Sequence, residues 1–313
     1  MNWKVKALGQ KAVAAFPEAA SYQLYNLLQK QFGKMNAKRV DPTRLLARTS
    51  LILAQILKQN QPIIDATFFE VGTGWKLTTP MCLWLCGAKK IITADLNPYL
   101  RPDLVELEAE YICQNQDLIS KVLAEVVDVD YFNERLALLQ AQTDLSHASI
   151  LNLMNIEYLA PADAANLPNI ADIDYHISHT VFEHIPKSTL LSILQEGCRM
   201  LRDGGLCVHY IDPSDHFAHR DENITEINFL QFSERQWNFW ANNRYAYHNR
   251  LRVDDYEYLF NNTGMTVLQK ITECDERALA ALQKDFQPSA HFTNKSAVTN
   301  ATTKLLITAQ KLQ

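Results

Sequence analysis

A glycine-containing turn at the end of an apolar run constrains the fold more than any other feature of the sequence. Residues 68–71 are mainly apolar and lead into Gly72 and Gly74, and Asp95 ends a second apolar run 21 residues after Gly74. Glycine is needed where a strand turns sharply into a helix and the backbone lies against a ligand. An acid on the next strand can accept both hydroxyls of a ribose. The pattern therefore predicts a strand, a turn and a helix around a nucleoside site.

Composition narrows the class of protein. The 313 residues are 47% hydrophobic and 21% charged, which is ordinary for a globular chain with a sizeable core. A formal charge of −5 gives no basic field for nucleic acid, and six scattered cysteines without a CxxC pair predict reduced thiols. No apolar stretch approaches the roughly 18 residues of a membrane span, and the N-terminus lacks a signal-peptide core. We therefore expect a cytoplasmic protein.

The N-terminal region is predicted to be a helical cap covering residues 1–60. It has breaks at Phe16-Pro17 and near Phe32-Gly33, and Asp41-Pro42-Thr43 starts a further helix. Lysines surround apolar residues in the first helix, so one hypothesis is that this helix contacts a membrane surface. We favour a helix that packs on its own protein or on a bound substrate.

The remaining chain, residues 61–313, alternates strand and helix patterns, which predicts a parallel sheet. Strands are expected at residues 67–71, 90–95, 156–159, 174–179, 206–211, 265–271 and 305–309, with helices near 77–86, 188–201 and 254–262. Two long insertions, at about 100–150 and 212–252, interrupt this order. The predicted fold is a Rossmann-like α/β sheet of seven mostly parallel strands with helices on both faces.

Four segments resemble motifs of the class I S-adenosylmethionine-dependent methyltransferases over about residues 66–311. Glu70, Gly72 and Gly74 match the first motif, E-x-G-x-G-x-G, but Lys76 stands at the third glycine. Residues 162–168 resemble the "DA..LP" element, residues 174–185 resemble D-L-V-V-S-N-A-V-L-E-H-I, and residues 198–205 resemble R-x-L-k-P-G-G. The combination of these four motifs is specific to the family but gives almost no information about the substrate.

The resemblance implies S-adenosylmethionine as cofactor and S-adenosylhomocysteine as product. It gives the ribose hydroxyls to Asp95 and the adenine amine to the acid of the "DA..LP" element. Lys76 would narrow the turn or place an amine near the methionine carboxylate. The cofactor-binding residues expected from the resemblance are Glu70, Gly72, Thr73, Gly74, Asp95, Leu96, Asp163, Ala164 and Ser178.

Histidines are the candidate catalytic groups, because a hydroxyl or ammonium acceptor must lose a proton and imidazole suits that task at neutral pH. Seven of nine lie between positions 176 and 248. His179 replaces the usual small polar residue at a strand end and is the first candidate, followed by His216 and His184. For each, a structural role is the alternative, and Glu183-His184 can equally brace the loop.

A metal site is the less favoured interpretation of the same region. The sequence HTVFEH is neither H-E-x-x-H nor H-x-x-E-H. Carboxylates and imidazoles that can bind a divalent cation follow the fifth strand, namely Asp212, Asp215, His216, His219 and Asp221. We expect no metal.

Residues 212–252 are interpreted as a substrate lid, called the lid segment below. They carry eight aromatic residues, and an exposed apolar patch of that size is unfavourable. We therefore expect the segment to close over a bound ligand or to pack on the N-terminal helices. The segment also carries five arginines, Arg220, Arg235, Arg244, Arg250 and Arg252. These can clamp an anionic acceptor or pair with Asp221, Glu226 and Glu234.

The function expected from the sequence is methyl transfer from S-adenosylmethionine to a small-molecule acceptor, with O-methylation slightly favoured. A nicotinamide-dependent oxidoreductase is an alternative. Such an enzyme is expected to have a glycine at position 76 and a Tyr/Lys pair at the hydride site, and the sequence offers neither convincingly. A regulatory protein that binds the cofactor without turnover is a second alternative.

Overall fold

One seven-stranded sheet forms the centre of the protein. The computed structural model describes residues 1–17, 20–25, 27 and 40–312. The strands are β1 Thr67–Val71, β2 Lys90–Ala94, β3 Ile156–Leu159, β4 Ile173–His179, β5 Leu201–Ile211, β6 Met265–Cys274 and β7 Thr302–Lys311. They lie in the order β3-β2-β1-β4-β5-β7-β6, and only β7 runs antiparallel to its neighbours. The predicted α/β class and strand count are confirmed.

Helices cover both faces of this sheet. They are α1 Trp3–Ala14, α2 Thr43–Lys58, α3 Thr78–Leu85, α4 Pro102–Gln114, α5 Gln116–Leu123, α6 Val129–Gln140, α7 His147–Leu153, α8 Lys187–Met200, α9 Glu234–Ala241, α10 Val253–Asn261, α11 Glu276–Gln283 and α12 Ala297–Ala301. Helices α2 to α7 pack on one face, where the larger apolar core includes Phe68 and Tyr175. Helices α8 and α10 pack on the other face around Phe69 and Phe260.

Element boundaries follow the sequence prediction closely, with one notable difference at β5. The strand begins at Leu201 instead of residue 206, and its pairing with β4 shifts register between Ile173 and Tyr175. Gly204, with φ +72°, lies inside the resulting irregular stretch. Asp203-Gly204-Gly205 resembles a helix stop in sequence, but the helix already ends at Met200 and these residues lie within the extended chain of β5.

The N-terminal region contains the predicted helices within its described part. Helix α1 ends at Ala14, just before the predicted break at Phe16-Pro17, and residues 20–25 are helical again. Helix α2 begins at Thr43, as the Asp-Pro-Thr pattern predicts. The break predicted near Phe32-Gly33 lies outside the described residues. Within the described chain, no helix combines the length and apolar character that a bilayer crossing needs.

A third apolar cluster joins α1 to the lid segment. Trp3 is 5% exposed, and its ring centroid lies 5.6 Å from Phe217, 5.6 Å from Phe232 and 5.2 Å from Trp240. The Trp3 amide also donates to Asp221 over 2.8 Å. The first helix therefore packs on its own protein. The division into a cap, a methyltransferase domain and two insertions stays a prediction.

Candidate functional site

The candidate site lies at the carboxyl ends of β1, β2 and β4. The chain passes from β1 outward to β3, then returns to β4 on the other side of β1, so the strand order reverses between β1 and β4. Ligands of open α/β sheets bind in the crevice outside such a reversal. The residues that follow these strands are Gly72, Asp95 and Thr180.

The two glycines of the turn serve different purposes. Both have positive φ, +85° at Gly72 and +67° at Gly74. A Cβ on Gly72 would lie 2.5 Å from Cγ2 of Val181, so the absence of a side chain at Gly72 leaves room for the Val181 side chain. A Cβ on Gly74 would meet no atom of the described residues within 4 Å. The open side of the turn is therefore at Gly74, where a ligand can approach the backbone.

Asp95 faces this turn. Its carboxylate accepts hydrogen bonds from the Gly74 amide over 2.9 Å and from the Asn97 amide over 2.9 Å. Burial raises the pKa of the Asp95 carboxyl, against the effect of these two amide bonds. Each carboxylate oxygen has two lone pairs, so acceptor capacity remains for hydroxyl donors. Leu96, which follows, is 68% exposed and presents an apolar surface beside the acid.

Asp163 and Ala164 lie in the loop after β3, which approaches Asp95 in space. The Ala162 amide donates to the main-chain oxygen of Asp95 over 2.9 Å. The Asp163 side chain is exposed and accepts from the Ala165 amide over 2.9 Å, whereas Ala164 is buried. The loop is thus tied to the strand end that carries Asp95.

Glu70 and Thr73 brace the turn from inside. Glu70 is 3% exposed and accepts a hydrogen bond from the Thr93 hydroxyl over 2.6 Å, and the Thr93 hydroxyl lies 2.7 Å from that of Thr73. Burial raises the Glu70 pKa to about 7. Lys76 pairs with buried Glu108 over 2.9 Å. The Lys76 amine is therefore engaged on the α4 side, and its approach to the methionine carboxylate stays a prediction.

Ser178 faces the interior of the sheet. It is fully buried, and its hydroxyl lies 2.7 Å from Nδ1 of His209. Nε2 of His209 lies 3.2 Å from Nδ1 of His176 and 3.0 Å from Sγ of Cys207. Burial lowers the pKa of His176 to about 3, so its imidazole is neutral. Ser178 therefore offers a cofactor only its main chain.

His179 belongs to a stacked group on the acceptor side of the reversal. Its ring lies 5.1 Å from that of Tyr210 with an interplanar angle of 16°. The Arg48 guanidinium, from α2, lies 5.6 Å from the Tyr210 ring centroid. His179 is half-buried at the end of β4, and the Tyr210 ring therefore has both an imidazole and a guanidinium as neighbours.

His184 and His216 lie together in a cluster of four histidines. The ring of His216 is 4.9 Å from that of His184, 5.1 Å from that of His219 and 5.1 Å from that of His248. His248 is buried, and this burial lowers its pKa well below the usual value. The structure thus brings two of the three catalytic candidates into contact, while His179 contacts other residues.

Three carboxylates accompany these histidines. Asp212 Oδ2 lies 3.8 Å from Nε2 of His216 and 3.9 Å from Nε2 of His219, and Glu226 Oε2 lies 3.6 Å from Nε2 of His219. Burial raises the Glu226 pKa to about 7, with neighbouring acids adding to the effect. Glu183, the third carboxylate, is 1% exposed. The cluster therefore combines imidazoles with carboxyl groups in a partly buried environment.

Two of the five lid arginines are structural. Arg250 donates to Glu234 over 2.5 Å and to the Phe229 carbonyl over 3.0 Å. Arg252 is fully buried and donates to main-chain oxygens, including that of Pro213. The other three, Arg220, Arg235 and Arg244, have exposed side chains.

Aromatic stacking ties the N-terminal cap to both halves of the site. Tyr22 stacks on Tyr99 at 5.3 Å, close after Asp95, and Tyr25 stacks on Tyr245 of the lid segment at 4.1 Å. The residue 20–25 helix thus reaches the cofactor side and the acceptor side. A surface cavity of about 540 Å³ lies elsewhere, at the start of β1 and β2, and is lined by residues that include Thr67 and Lys90.

Sequence reasoning missed Arg48, Tyr210 and the grouping of His248 with His216. No spacing rule reveals these contacts, because Arg48 lies on α2, before the first strand, and His248 is 32 residues beyond His216. The tertiary fold alone brings them together. The density of histidines between positions 176 and 248 was the available signal.

Comparison with known proteins gives structural similarity only. No protein-family model matches the chain, and no curated protein is similar to it in sequence. A candidate sarcosine dimethylglycine methyltransferase from Galdieria sulphuraria superposes with a TM-score of 0.46 at 15% identity, covering 85% of this chain and 86% of that one. Magnesium protoporphyrin IX methyltransferase from Synechocystis, solved with bound S-adenosylhomocysteine, gives 0.43 at 11% identity over 85% and 82%.

The fold assignment rests on the sheet itself. Six parallel strands with a reversal between β1 and β4, and a seventh antiparallel strand between β5 and β6, form the sheet that the sequence motifs imply. The chain has a Rossmann-like fold built on a seven-stranded sheet, which is the fold that the sequence resemblance to the class I S-adenosylmethionine-dependent methyltransferases implies.

Proposed function

We propose that the protein transfers a methyl group from S-adenosylmethionine to a small-molecule acceptor. The observation that carries the proposal is the open turn at Gly74, whose amide donates to the Asp95 carboxylate at the strand-order reversal. A ribose beside Asp95 would find hydrogen-bond acceptors, and the exposed Leu96 side chain offers the adenine an apolar surface.

Positioning supplies most of the catalysis in this proposal. The sulfonium methyl group is already electrophilic, so the protein must hold an acceptor lone pair in line with the carbon and exclude water. The rings of Tyr25 in the cap and Tyr245 in the lid segment stack on each other, and in this proposal the two segments together cover the acceptor. His179, half-buried at the end of β4, is the proposed base, and O-methylation is favoured because a hydroxyl must lose its proton.

An anionic acceptor is part of the same proposal. Arg48 places a positive charge beside Tyr210, whose ring stacks on that of His179, and no hydrogen bond or ion pair of its guanidinium is seen among the described residues. A guanidinium can bind a carboxylate or phosphate through two parallel hydrogen bonds. Because Arg250 and Arg252 bond the protein itself, Arg48 carries this part of the argument.

Isothermal titration with S-adenosylmethionine and with NAD tests the cofactor. We expect binding of the methyl donor alone, and Asp95→Ala should weaken it by about 1–3 kcal/mol because buried ribose hydroxyls lose their acceptor. Asp285→Ala removes an exposed carboxylate outside the site and is the matched control. Thermal unfolding of each variant separates a loss of affinity from a loss of folded protein. Unchanged affinity of a folded Asp95→Ala protein would refute the ribose assignment.

Turnover is tested separately, with a metabolite extract as the source of acceptors. Release of S-adenosylhomocysteine is expected from the wild-type protein and not from a sample without extract. Binding of the methyl donor without any release would instead support a regulatory protein.

A further inference from the structure

Glu183, His184 and His216 converge on one point beside the acceptor side of the sheet. One potential ligand atom from each lies within 4.8 Å of those of the other two. Glu183 and His184 belong to the short 3₁₀ turn that follows β4, and His216 belongs to the lid segment. Two distant parts of the chain thus place one carboxylate and two imidazoles together.

The Glu183 side chain is the independent sign of a missing ligand. It is 1% exposed, and neither carboxylate oxygen has a partner of good hydrogen-bond geometry among the described residues, although the Asp212 main chain and the charge of Arg48 lie near enough to act on it. A buried carboxylate without good partners is costly, and the usual solutions are protonation, a paired charge or a metal ion. Its main chain is held firmly, because the Asn249 amide donates to the Glu183 carbonyl over 2.7 Å.

The hydrogen bond of His184 sets its tautomer. Nδ1 lies 3.0 Å from the carbonyl oxygen of Tyr247, and a carbonyl can only accept. Nδ1 therefore carries the proton, and the lone pair of the neutral ring is on Nε2. Metal-binding histidines are commonly oriented in this way by a carbonyl or carboxylate on the other nitrogen.

We propose that Glu183, His184 and His216 bind one first-row transition-metal dication, of which Zn²⁺ is the probe used below. One carboxylate and two imidazoles form a ligand set suited to zinc and its neighbours and poorly suited to Mg²⁺. Asp212, 3.8 Å from Nε2 of His216, would orient that ring or join the coordination shell. This proposal differs from the expectation based on the sequence. No metal was expected there, because the spacing of the histidines and the glutamate matches no zinc-binding motif.

Three protein ligands leave a coordination position open. If the proposed function holds, that position would take the hydroxyl oxygen of the acceptor, whose pKa would fall on coordination. The hydroxyl proton then passes to a base, the O–CH₃ bond forms as the S–CH₃ bond breaks, and S-adenosylhomocysteine leaves. The metal site itself does not depend on this step.

A second set of potential ligands, His176, Cys207 and His209, is a weaker candidate. All three side chains have no exposed surface and bond one another inside the core. They also differ chemically from the proposed site, because they include a thiol. A thiolate ligand gives Co²⁺ a charge-transfer band in the near ultraviolet, which an O/N ligand set lacks.

Metal-stripped protein is therefore titrated with Co²⁺ and, by calorimetry, with Zn²⁺. We expect one ion per chain, visible d–d absorption of Co²⁺ and no thiolate band. Glu183→Gln, His184→Ala and His216→Ala should each lower the Zn²⁺ affinity at least about tenfold. His291→Ala removes a histidine outside the cluster and should leave the affinity unchanged.

Circular dichroism of each variant establishes that it is folded, and the exposed His184 can be truncated without opening a cavity. Equal Zn²⁺ affinity of the wild type and the His184→Ala variant would overturn the site, as would a thiolate band in the wild-type spectrum. Titration of the same samples with S-adenosylmethionine separates the two proposals. Methyl-donor binding without metal binding overturns the metal site alone, and the reverse result overturns the cofactor assignment alone.

Discussion

Glu70→Gln should change how the stability of the protein depends on pH. The Glu70 carboxyl is buried behind the glycine turn, and burial raises its pKa from 4.5 to about 7. Between these values the unfolded chain releases this proton while the folded protein keeps it. The contribution of Glu70 to the free energy of unfolding therefore falls as pH rises from 4.5 towards 7, and it is constant outside that window.

The size of the effect follows from the same two values. Each pKa unit that separates folded from unfolded states corresponds to about 1.4 kcal/mol, so a rise from 4.5 to about 7 corresponds to about 3 kcal/mol. Glutamine has nearly the same shape and can still accept from the Thr93 hydroxyl, but it has no proton to lose. The variant should match the wild type below pH 4.5 and exceed its stability by up to that amount above pH 7.

Urea unfolding at a series of pH values measures this difference directly. The contributions of all other titrating groups are shared by the two proteins and cancel when one curve is subtracted from the other. A difference that rises through the expected window supports a neutral, buried Glu70. Two parallel curves would refute the reasoning, because they would show that Glu70 titrates alike in both states.

Three further changes test the turn, the base and the cap. Gly72→Ala should lower the free energy of unfolding by about 1–3 kcal/mol because its Cβ would clash with the Val181 side chain. The double variant Gly72→Ala/Val181→Ala should recover part of this loss. Gly74→Ala is the control for backbone strain alone, because its Cβ contacts no atom of the described residues. His179→Ala should lower kcat by about 10²–10⁴-fold with little change in methyl-donor affinity, and full activity would exclude it as the base. Trp3→Ala should cost about 3–5 kcal/mol in chemical denaturation, since it removes a side chain packed among three aromatic rings; a smaller loss would show that α1 is weakly docked.

The fold could be predicted from the sequence because its elements have clear local signals. The strand Thr67–Val71 is a short apolar run that ends at glycines, and its predicted bounds agree with the structure. The start of β5 could not be predicted in this way. Glycines at 204 and 205 look like a helix stop, and only pairing with β4 shows that they lie in an irregular stretch inside the strand.

The candidate site was predictable on the cofactor side and much less so on the acceptor side. Asp95 follows Gly74 within one strand–helix–strand unit, so a spacing rule locates both. Arg48 and His184, by contrast, gain their neighbours from segments that are remote in the chain. Lys76 illustrates the limit of motif transfer, because its partner Glu108 lies on α4, in a region that the family motifs do not cover.

The guanidinium of Arg252 joins the two ends of the lid segment. It is buried at the far end of that segment and donates to the carbonyl of Pro213 at the near end, as well as to the carbonyls of Asn300 and Thr302. The intervening chain leaves and re-enters the sheet domain at one fixed place. Sequence changes between these anchors can therefore remodel the surface that meets an acceptor without disturbing strand pairing, so a new substrate range could evolve on an unaltered scaffold.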